Sequence, residues 1–331
     1  MKSNNFWLQI PKPIMSLAPM EDVTDTSFRE VVAGFSSVGD LNVLFTEFVS
    51  TDGLCHPVGR KKVSHRLFVS PQERELLKMK NIKLVAQIWG KNPEHFRKAT
   101  EWITNEMDFD GIDINFGCPV KNVVKQGACS ALIAFPELAS EIVMATKEVS
   151  KIPVSIKTRI GVDTVITESW ISNLLKTNPA AITIHGRIQK QMSEGKADWN
   201  EIAKAVELRN TISPETLIFG NGDVMSLQEA HQKVENYNVD GVMIGRGIFA
   251  NPWFFNSTQT EKTPEEKLLA LWKHTQLFFK TWHKVKPFTI LSRFYKIYVN
   301  NFAGAAPIRA ELMNCNSEED VGNYLKKIGI L

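Results

Sequence analysis

Short apolar runs rich in β-branched residues alternate with longer helix-compatible stretches between residues 14 and 245. The strands of a buried parallel sheet have this composition, because helices cover both faces of the sheet and leave no polar side. Alternation of such strands with helical segments predicts repeated βα units. Eight runs are present, at residues 14–17, 43–46, 84–88, 111–115, 154–157, 181–185, 217–220 and 241–244.

The number of runs distinguishes between the two common parallel folds. A doubly wound sheet usually has about five or six strands, whereas a closed (β/α)₈ barrel has eight and takes about 250 residues. No Gly-x-Gly-x-x-Gly motif opens a helix near the start of the chain, which further weighs against a dinucleotide-binding fold. We therefore predict an α/β protein built on a (β/α)₈ TIM barrel.

The pattern changes after residue 257. Pro264-Glu265-Glu266 predicts the start of a helix, and Pro287, Gly304 and Pro307 predict breaks between shorter helical segments. We expect two domains, a catalytic barrel at residues 1–257 and a small helical domain at residues 258–331. Hydrophobic residues make up 43% of the 331 residues, which is enough for a core of this size.

Composition excludes several classes of protein. No apolar run approaches the roughly 20 residues of a membrane helix, and residues 1–11 lack the apolar stretch of a signal peptide. The cysteines are too few and too scattered for a disulfide framework, and their spacing does not match a structural zinc site. We expect a soluble, cytoplasmic monomer with reduced thiols and no metal. The cysteines are Cys55, Cys118, Cys129 and Cys315.

Polar or reactive residues follow nearly every predicted strand, at the end where barrel enzymes carry their chemistry. A single polar turn residue is ordinary, but eight in the same register are not. They are Ala18-Pro19-Met20, Glu47, Gln87, Asn115 with Cys118, Lys157 with Arg159, His185 with Arg187, Asn221-Gly222-Asp223 and Gly245-Arg246.

The last two strand ends predict a phosphate site. Asn221-Gly222-Asp223 and Gly245-Arg246-Gly247 have glycines where barrels often bind phosphate, and Arg246 can add a charge-assisted hydrogen bond. The other strand ends add amide, ammonium and imidazole groups to the same mouth, which suits a flat heterocycle such as flavin. Lys157 would there stabilise the negative charge of a reduced flavin near N1 and O2.

Cys118 lies three residues after Asn115, on a turn constrained by Gly117 and Pro119. An isolated cysteine is usually a buried, inert thiol, but a place at the barrel mouth favours a chemical role. A thiol with a pKa near about 8.5 is mostly protonated at neutral pH and can act as a general acid. Neither a zinc partner nor a third member of a catalytic triad is evident, so we favour proton donation over nucleophilic attack.

Taken in order, six motifs resemble those of the tRNA-dihydrouridine synthases. The resemblance extends from about residue 14 to residue 255, and more loosely to Phe302-Ala303-Gly304-Ala305-Ala306, which is similar to the family's C-terminal RNA-binding bundle. The six motifs are Ala18-Pro19-Met20, Asn115-Phe116-Gly117-Cys118-Pro119, Lys157-Thr158-Arg159-Ile160-Gly161, Ile184-His185-Gly186-Arg187, Asn221-Gly222-Asp223 and Ile244-Gly245-Arg246-Gly247.

The resemblance implies a reaction. In that family FMN is reduced by NADPH and passes a hydride to C6 of a uracil ring in tRNA, while a cysteine donates a proton to C5 from the opposite face. By matching motif, Cys118 is the proton donor, Asn115 and Arg159 contact the substrate, and NADPH or NADH is the reductant. The residues implied to hold FMN are Ala18, Pro19, Met20, Gln87, Lys157, His185, Asn221, Gly222, Asp223, Gly245 and Arg246.

Two positions depart from the family pattern. Cys129 stands where members often have glycine, and Gly220 replaces the more familiar alanine before Asn221. Neither change removes a group that the reaction needs, and we expect Cys129 to be a second exposed thiol near Cys118.

Residues 267–310 contain eight basic residues and no Asp or Glu. A stretch with positive charges only suits binding to RNA phosphates, and we expect Lys284, Lys286 and Arg293 to contact tRNA. A flipped, unpaired uridine is the form whose C6 can reach a barrel mouth. Nine aromatic residues are interleaved, and most should pack in the core, because aromatics at helical spacing usually face inwards. They are Trp272, Phe278, Phe279, Trp282, Phe288, Phe294, Tyr295, Tyr298 and Phe302.

Two other functions remain open at this point. An FMN-dependent oxidoreductase of a free pyrimidine, similar to dihydroorotate or dihydropyrimidine dehydrogenases, would share the barrel and the flavin, but it has no use for an acid-free basic region. A non-catalytic tRNA-binding barrel would use that region, but it has no need of Cys118, Lys157 and His185.

Overall fold

The computed structural model describes residues 5–258 and 261–331. Its strands form one parallel sheet that closes on itself. They are β1 (Ile14–Leu17), β2 (Val43–Phe45), β3 (Val49–Ser50), β4 (Lys83–Trp89), β5 (Gly111–Phe116), β6 (Val154–Arg159), β7 (Ala181–His185), β8 (Leu217–Asn221) and β9 (Gly241–Ile244).

Closure comes from β1, which pairs with β2 on one side and with β9 on the other. The two-residue β3 pairs with β4 beyond the stretch where β2 does, so β2 and β3 occupy one place in the barrel. The predicted eight-stranded barrel is confirmed, and each predicted run overlaps a strand. Only β3 was not foreseen, because two residues carry no periodic signal.

Helices surround this barrel and follow it in the chain. The α-helices are α1 (Thr26–Phe35), α2 (Thr51–Cys55), α3 (Pro57–Val63), α4 (Pro71–Lys80), α5 (Pro93–Glu106), α6 (Lys121–Val124), α7 (Pro136–Val149), α8 (Thr167–Leu175), α9 (Trp199–Ile212), α10 (Leu227–Tyr237), α11 (Gly247–Ala250), α12 (Pro264–Trp282), α13 (Ser292–Tyr298), α14 (Ala305–Leu312) and α15 (Glu318–Lys327). Short 3₁₀ helices lie at Phe6–Leu8, Ser64–Leu67, Cys129–Ala134, Gln189–Gln191 and Phe288–Leu291.

Side-chain caps set where many of the barrel helices begin. Asp25, Ser70, Asn92, Asp198 and Ser226 each accept a backbone N–H from the first turn of the helix that follows. These bonds satisfy donors that a helix N-terminus otherwise leaves free. The sequence therefore fixes the starts of these helices locally.

The barrel interior is apolar at one end and polar at the other. Phe6 and Trp7 close the amino-terminal end, where Trp7 packs against Phe45 and Phe219. Towards the carboxyl ends of the strands the interior contains polar side chains instead of the aliphatic layers usual in such barrels. These side chains are Gln87, Asp113, Asn115, Ser155, Lys157 and Asn221.

The helical region begins as predicted. Thr263 and Glu266 form a capping box at the start of α12, with Pro264 in its first turn. Gly304 caps α14, but Pro307 lies inside the first turn of that helix and breaks nothing, since a first-turn N–H has no partner within the helix. Within the two described stretches, no helix is long and apolar enough to cross a membrane.

Most of the interleaved aromatics lie in the core, as expected. Phe278, Trp282, Phe294, Tyr295 and Tyr298 are buried. Trp272, Phe288 and Phe302 pack against the core and are partly covered. Phe279 is 37% exposed and stacks on His283.

Candidate active site

A cavity of about 500 Å³ opens at the carboxyl ends of the strands. Ligand sites commonly have volumes in this range. Ten of the eleven residues predicted to hold the cofactor line it, and the exception, Gln87, is fully buried. The ten are Ala18, Pro19, Met20, Lys157, His185, Asn221, Gly222, Asp223, Gly245 and Arg246.

Two glycines shape the wall near β8 and β9. Gly222 has φ of +126°, and a Cβ there would lie 2.6 Å from the Ala197 side chain, so only glycine fits. A Cβ on Gly245 would meet only the Asn221 amide, at 3.9 Å, which leaves the Gly245 backbone open to the cavity.

Asp223 holds two arginines at this wall. Its carboxylate accepts hydrogen bonds from Arg187 at 2.6 Å, from Arg246 at 3.2 Å and from the Ala197 N–H at 2.8 Å. Burial alone would raise the pKa of Asp223, but these bonds and the arginine charges outweigh burial and lower it. Asp223 therefore orients Arg246, which is 58% exposed and can reach an anion in the cavity.

Lys157 brings a partly buried positive charge to the cavity. Its Nζ contacts Asn221 Oδ1 at 3.5 Å, and none of the ion pairs within the described residues includes it. Burial, with the nearby charge of Arg159, lowers the pKa of Lys157 to about 8. An ammonium in this setting is stabilised by any anionic group that enters the cavity.

His185 is neutral in the same wall. Burial, and then the charges of Lys157 and the neighbouring arginines, lower its pKa far below the usual value. Arg187 donates to His185 Nε2 at 3.0 Å, so the ring proton resides on Nδ1.

The turn that carries Cys118 is held on three sides. Asn115 Oδ1 accepts the N–H groups of Gly117 and Cys118, both at 3.0 Å. Arg159 Nε donates to the Gly117 carbonyl at 2.7 Å, and Ser130 Oγ donates to the Cys118 carbonyl at 2.7 Å. The half-buried Cys118 thiol therefore has a fixed position at the mouth.

Cys118 has a lowered pKa of about 7. The largest cause is a hydrogen bond from the buried Cys129 thiol; burial opposes it, while the Val120 N–H and the charge of Lys157 add to it. The donor Cys129 has a raised pKa, chiefly through burial. The pKa of Cys118 thus lies below the ordinary thiol value used in the sequence analysis. Cys129 lies beside Cys118 as expected, but the prediction that it is exposed is wrong, because its side chain is fully buried.

A hydrogen-bond chain lies beneath the turn. Gln87 donates from its amide nitrogen to Asp113 at 2.7 Å and accepts from Asn115 at 2.9 Å, and Ser155 donates to Asp113 at 2.6 Å. Burial raises the pKa of Asp113 to about 6. Sequence reasoning missed Asp113 and Ser155, although Asp113 precedes Asn115 by two positions and so faces the same side of β5. The sequence analysis listed Arg187 among the residues at the strand ends but gave it no role, whereas in the structure it bonds His185 and Asp223.

The structure gives the two predicted substrate residues of the barrel a positioning role. Asn115 is 5% exposed, and both ends of its amide are already bonded. Arg159 is 6% exposed and donates to the carbonyls of Gly117, Ile188 and Met192. Both side chains brace the Cys118 turn, and Arg159 also lines the cavity.

Lys286 requires a correction. Lys284 and Arg293 are exposed, as a contact with RNA demands, but Lys286 is 7% exposed. Its Nζ lies 3.0 Å from Glu47 and 3.2 Å from Asp25, above the Trp282 ring. Two carboxylates already neutralise this ammonium, so the predicted phosphate contact of Lys286 is wrong.

No group of three or more His, Cys, Asp or Glu side chains suited to a metal ion occurs in the described ranges, residues 5–258 and 261–331.

Comparison of folds finds barrels of the same kind at low sequence identity. Morphinone reductase has a TM-score of 0.50 and 11% identity, with 73% of this chain and 84% of that chain covered. A 2-naphthoyl-CoA reductase has a TM-score of 0.54 and 10% identity, with 75% of this chain and 52% of that chain covered. At this identity the likeness concerns the fold alone.

Sequence comparison is more specific. A probable tRNA-dihydrouridine synthase 2 of Bacillus subtilis strain 168 is 40% identical over 321 residues, with 96% of this chain and 95% of the relative covered. A probable tRNA-dihydrouridine synthase of Staphylococcus aureus strain COL is 42% identical over 315 residues, with 95% of this chain and 92% of the relative covered. The family model described as dihydrouridine synthase (Dus) matches residues 16–329. As the six ordered motifs predicted, the chain belongs to the dihydrouridine synthase family.

Proposed function

We propose that this protein is a tRNA-dihydrouridine synthase that binds FMN and reduces the C5=C6 bond of a uridine in tRNA, with NADPH or NADH as the reductant. Family membership supports this activity, as do the names of relatives that match over nearly the whole chain. The observation that carries the proposal is a fixed, half-buried thiol, Cys118, on a turn that Arg159 joins to the cavity. Lys157 lines the same cavity and takes part in none of the ion pairs within the described residues.

The residues of the cavity fit FMN. The exposed Arg246 and the open backbone at Gly245 suit a phosphate, and Lys157 provides a positive charge that no ion pair within the described residues neutralises. The neutral His185 offers a hydrogen-bond donor at Nδ1. With Met20 and Asn221 these residues would hold the cofactor, and the fold is one that reductases also use.

When bound and reduced, FMN would supply a hydride to C6 of the uracil ring. Negative charge then develops toward C5 and O4, and Cys118 is the acid that donates a proton to C5. A pKa of about 7 keeps a substantial fraction of the thiol protonated near neutral pH. The braces from Asn115 and Arg159 keep the sulfur in one place while the proton is transferred.

The helical region supports RNA as the substrate. Lys284 and Arg293 are exposed there, within a stretch of residues 267–310 that contains no acidic residue. A free-pyrimidine oxidoreductase would use the same cavity, but its small substrate gains nothing from this positive field. We therefore favour tRNA over a free base.

The visible absorbance of the purified protein tests this function. Under anaerobic conditions we expect flavin bands that bleach with NADPH and return on addition of unmodified tRNA, but not with free uracil or dihydroorotate. Bands that respond to the free pyrimidine instead of tRNA would replace the proposal by the alternative. Absence of flavin bands after incubation with FMN would refute an FMN enzyme.

A further inference from the structure

The βα connections after β3, β4 and β5 carry a basic surface whose residues all belong to the barrel and not to the helical region. Its lysines are all exposed, and we call it the rim surface. It consists of Lys61 and Lys62 on α3, Lys91 after β4, and Lys121 and Lys125 at α6.

These connections contact one another. The Asp52 carboxylate of α2 lies 2.6 Å from His95 of α5, and the Arg60 guanidinium lies over the Trp102 ring of α5 at 5.0 Å. The aliphatic part of the Lys91 side chain lies against the loop after α6, because a Cβ placed on Gly127 would be 3.7 Å from Lys91 Cδ. The rim surface is therefore continuous around the part of the mouth that contains Cys118.

Acidic residues do not neutralise this surface. Residues 53–72 and 114–136 contain no Asp or Glu. Of the nearby acids, Glu94 is paired with Lys98 and Glu21 with Arg66, and Asp52 is hydrogen-bonded to His95. Across the two described stretches of the chain, no ion pair includes any of the five rim lysines.

We propose that the rim surface binds phosphates of the substrate RNA on the Cys118 side of the mouth. This inference rests on the proposed function. A uridine that enters the cavity remains bonded to its own two phosphates, which must then lie over the rim, within reach of long lysine side chains. The helical region meets the barrel next to this surface, because Arg293 reaches Asp22 after β1, Lys286 reaches Glu47 after β2, and the Trp282 ring lies 6.2 Å from the His65 ring just beyond α3.

Paired substitutions test the rim surface. We expect Lys61→Ala with Lys62→Ala, and separately Lys121→Ala with Lys125→Ala, to weaken binding of unmodified tRNA about tenfold or more near 0.1 M salt. The slope of log Kd against log salt should fall by about 1 to 2 for each pair, because each lost phosphate contact removes about 0.7 to 0.9. Fluorescence anisotropy from 50 to 200 mM KCl measures both, and bound-flavin absorbance checks that the variants fold.

The matched control is Lys78→Ala with Lys176→Ala. Both lysines are exposed, and they lie where α4 and α8 lead into the amino-terminal ends of strands. We expect wild-type affinity and slope from this pair. If both rim pairs keep the wild-type slope while the wild-type protein binds tRNA, the inference is wrong and the proposed function stands. If the wild-type protein neither binds tRNA nor is reoxidised by it, both are wrong.

Discussion

At the scale of single residues, one neighbour contributes most to the lowered pKa of Cys118. The Cys129 thiol donates a hydrogen bond to the Cys118 sulfur, which stabilises the thiolate and lowers the pKa of Cys118 to about 7. The sequence marked Cys129 as unusual for its position, but only the structure gives the residue a role.

Cys118→Ala should keep the fold and the bound cofactor but lose most of its turnover. Removal of a general acid typically costs about 10²- to 10⁴-fold in rate. Single-turnover reoxidation of the reduced enzyme by tRNA measures the loss. Cys315→Ala, which removes a half-buried thiol in the helical region, is the control and should be unchanged. Turnover near wild type in Cys118→Ala would remove the proton-donor assignment.

Cys129→Ala should raise the pKa of Cys118, because the hydrogen bond to its sulfur is lost while burial remains. The acid must be protonated to act, so the loss of activity with rising pH should begin near 7 in the wild type and at higher pH in the variant. The pH dependence of Cys118 alkylation by iodoacetamide reports the pKa independently of activity. Cys129→Ser keeps a donor and should stay near the wild type; an unshifted midpoint in Cys129→Ala contradicts the role.

At the scale of elements, the packing of α9 on β8 explains why Gly220 departs from the family pattern. A Cβ on Gly220 would lie 2.1 Å from the Trp199 ring. Trp199 also donates from its indole nitrogen to the Gly222 carbonyl at 3.1 Å. A glycine at 220 thus allows a large side chain at 199 to support the loop of the cavity wall.

Gly220→Ala should destabilise the protein by about 1–3 kcal/mol, because overpacking forces the Trp199 ring to move. The change in the urea midpoint, followed by circular dichroism, measures it. In a double-mutant cycle, Trp199→Leu should remove most of the added cost of the alanine. If the two substitutions change the free energy of unfolding additively, the contact with the Trp199 ring is not the cause of the destabilisation by Gly220→Ala.

At the scale of the whole molecule, a buried charge cluster joins the helical region to the barrel. Lys286 bonds Asp25 and Glu47, and Trp282 donates to Ser27 at 2.9 Å. Burial raises the pKa of Glu47, and the charge of Lys286 partly offsets that rise. The cluster fixes how the basic helical region stands relative to the mouth.

Lys286→Met should therefore destabilise the protein by about 3–5 kcal/mol at neutral pH, since it leaves buried carboxylates without their cation. The pKa of Glu47 rises further in the variant, so its folded state binds a proton more tightly than the unfolded chain does. Stability is then lost as pH rises through that raised pKa, and the deficit should be larger at pH 8 than at pH 5. Urea denaturation at both pH values measures it. Lys284→Met, an exposed neighbour, should change stability by no more than about 0.5 kcal/mol. An equal deficit at both pH values would contradict the coupling to Glu47.

Features encoded by nearby residues were predictable. The strand of residues 181–185 and the helix start at Pro264 follow from local pattern and capping. The barrel then brings Lys157, His185 and Asn221 together, because the carboxyl ends of its strands all meet at one mouth. The six motifs, taken in order, also predicted the family to which the chain belongs.

Contacts between distant residues were not predictable. Lys286 and Arg293 are both basic residues of one acid-free stretch, yet one is buried against Glu47 and the other is exposed. The sequence by itself thus determined the barrel and the polar residues at its mouth, and it made Cys118 the candidate proton donor. The tertiary structure alone decided the pKa of that thiol, the burial of Lys286 and the continuity of the rim surface, because burial and partners depend on residues that meet only when the chain folds.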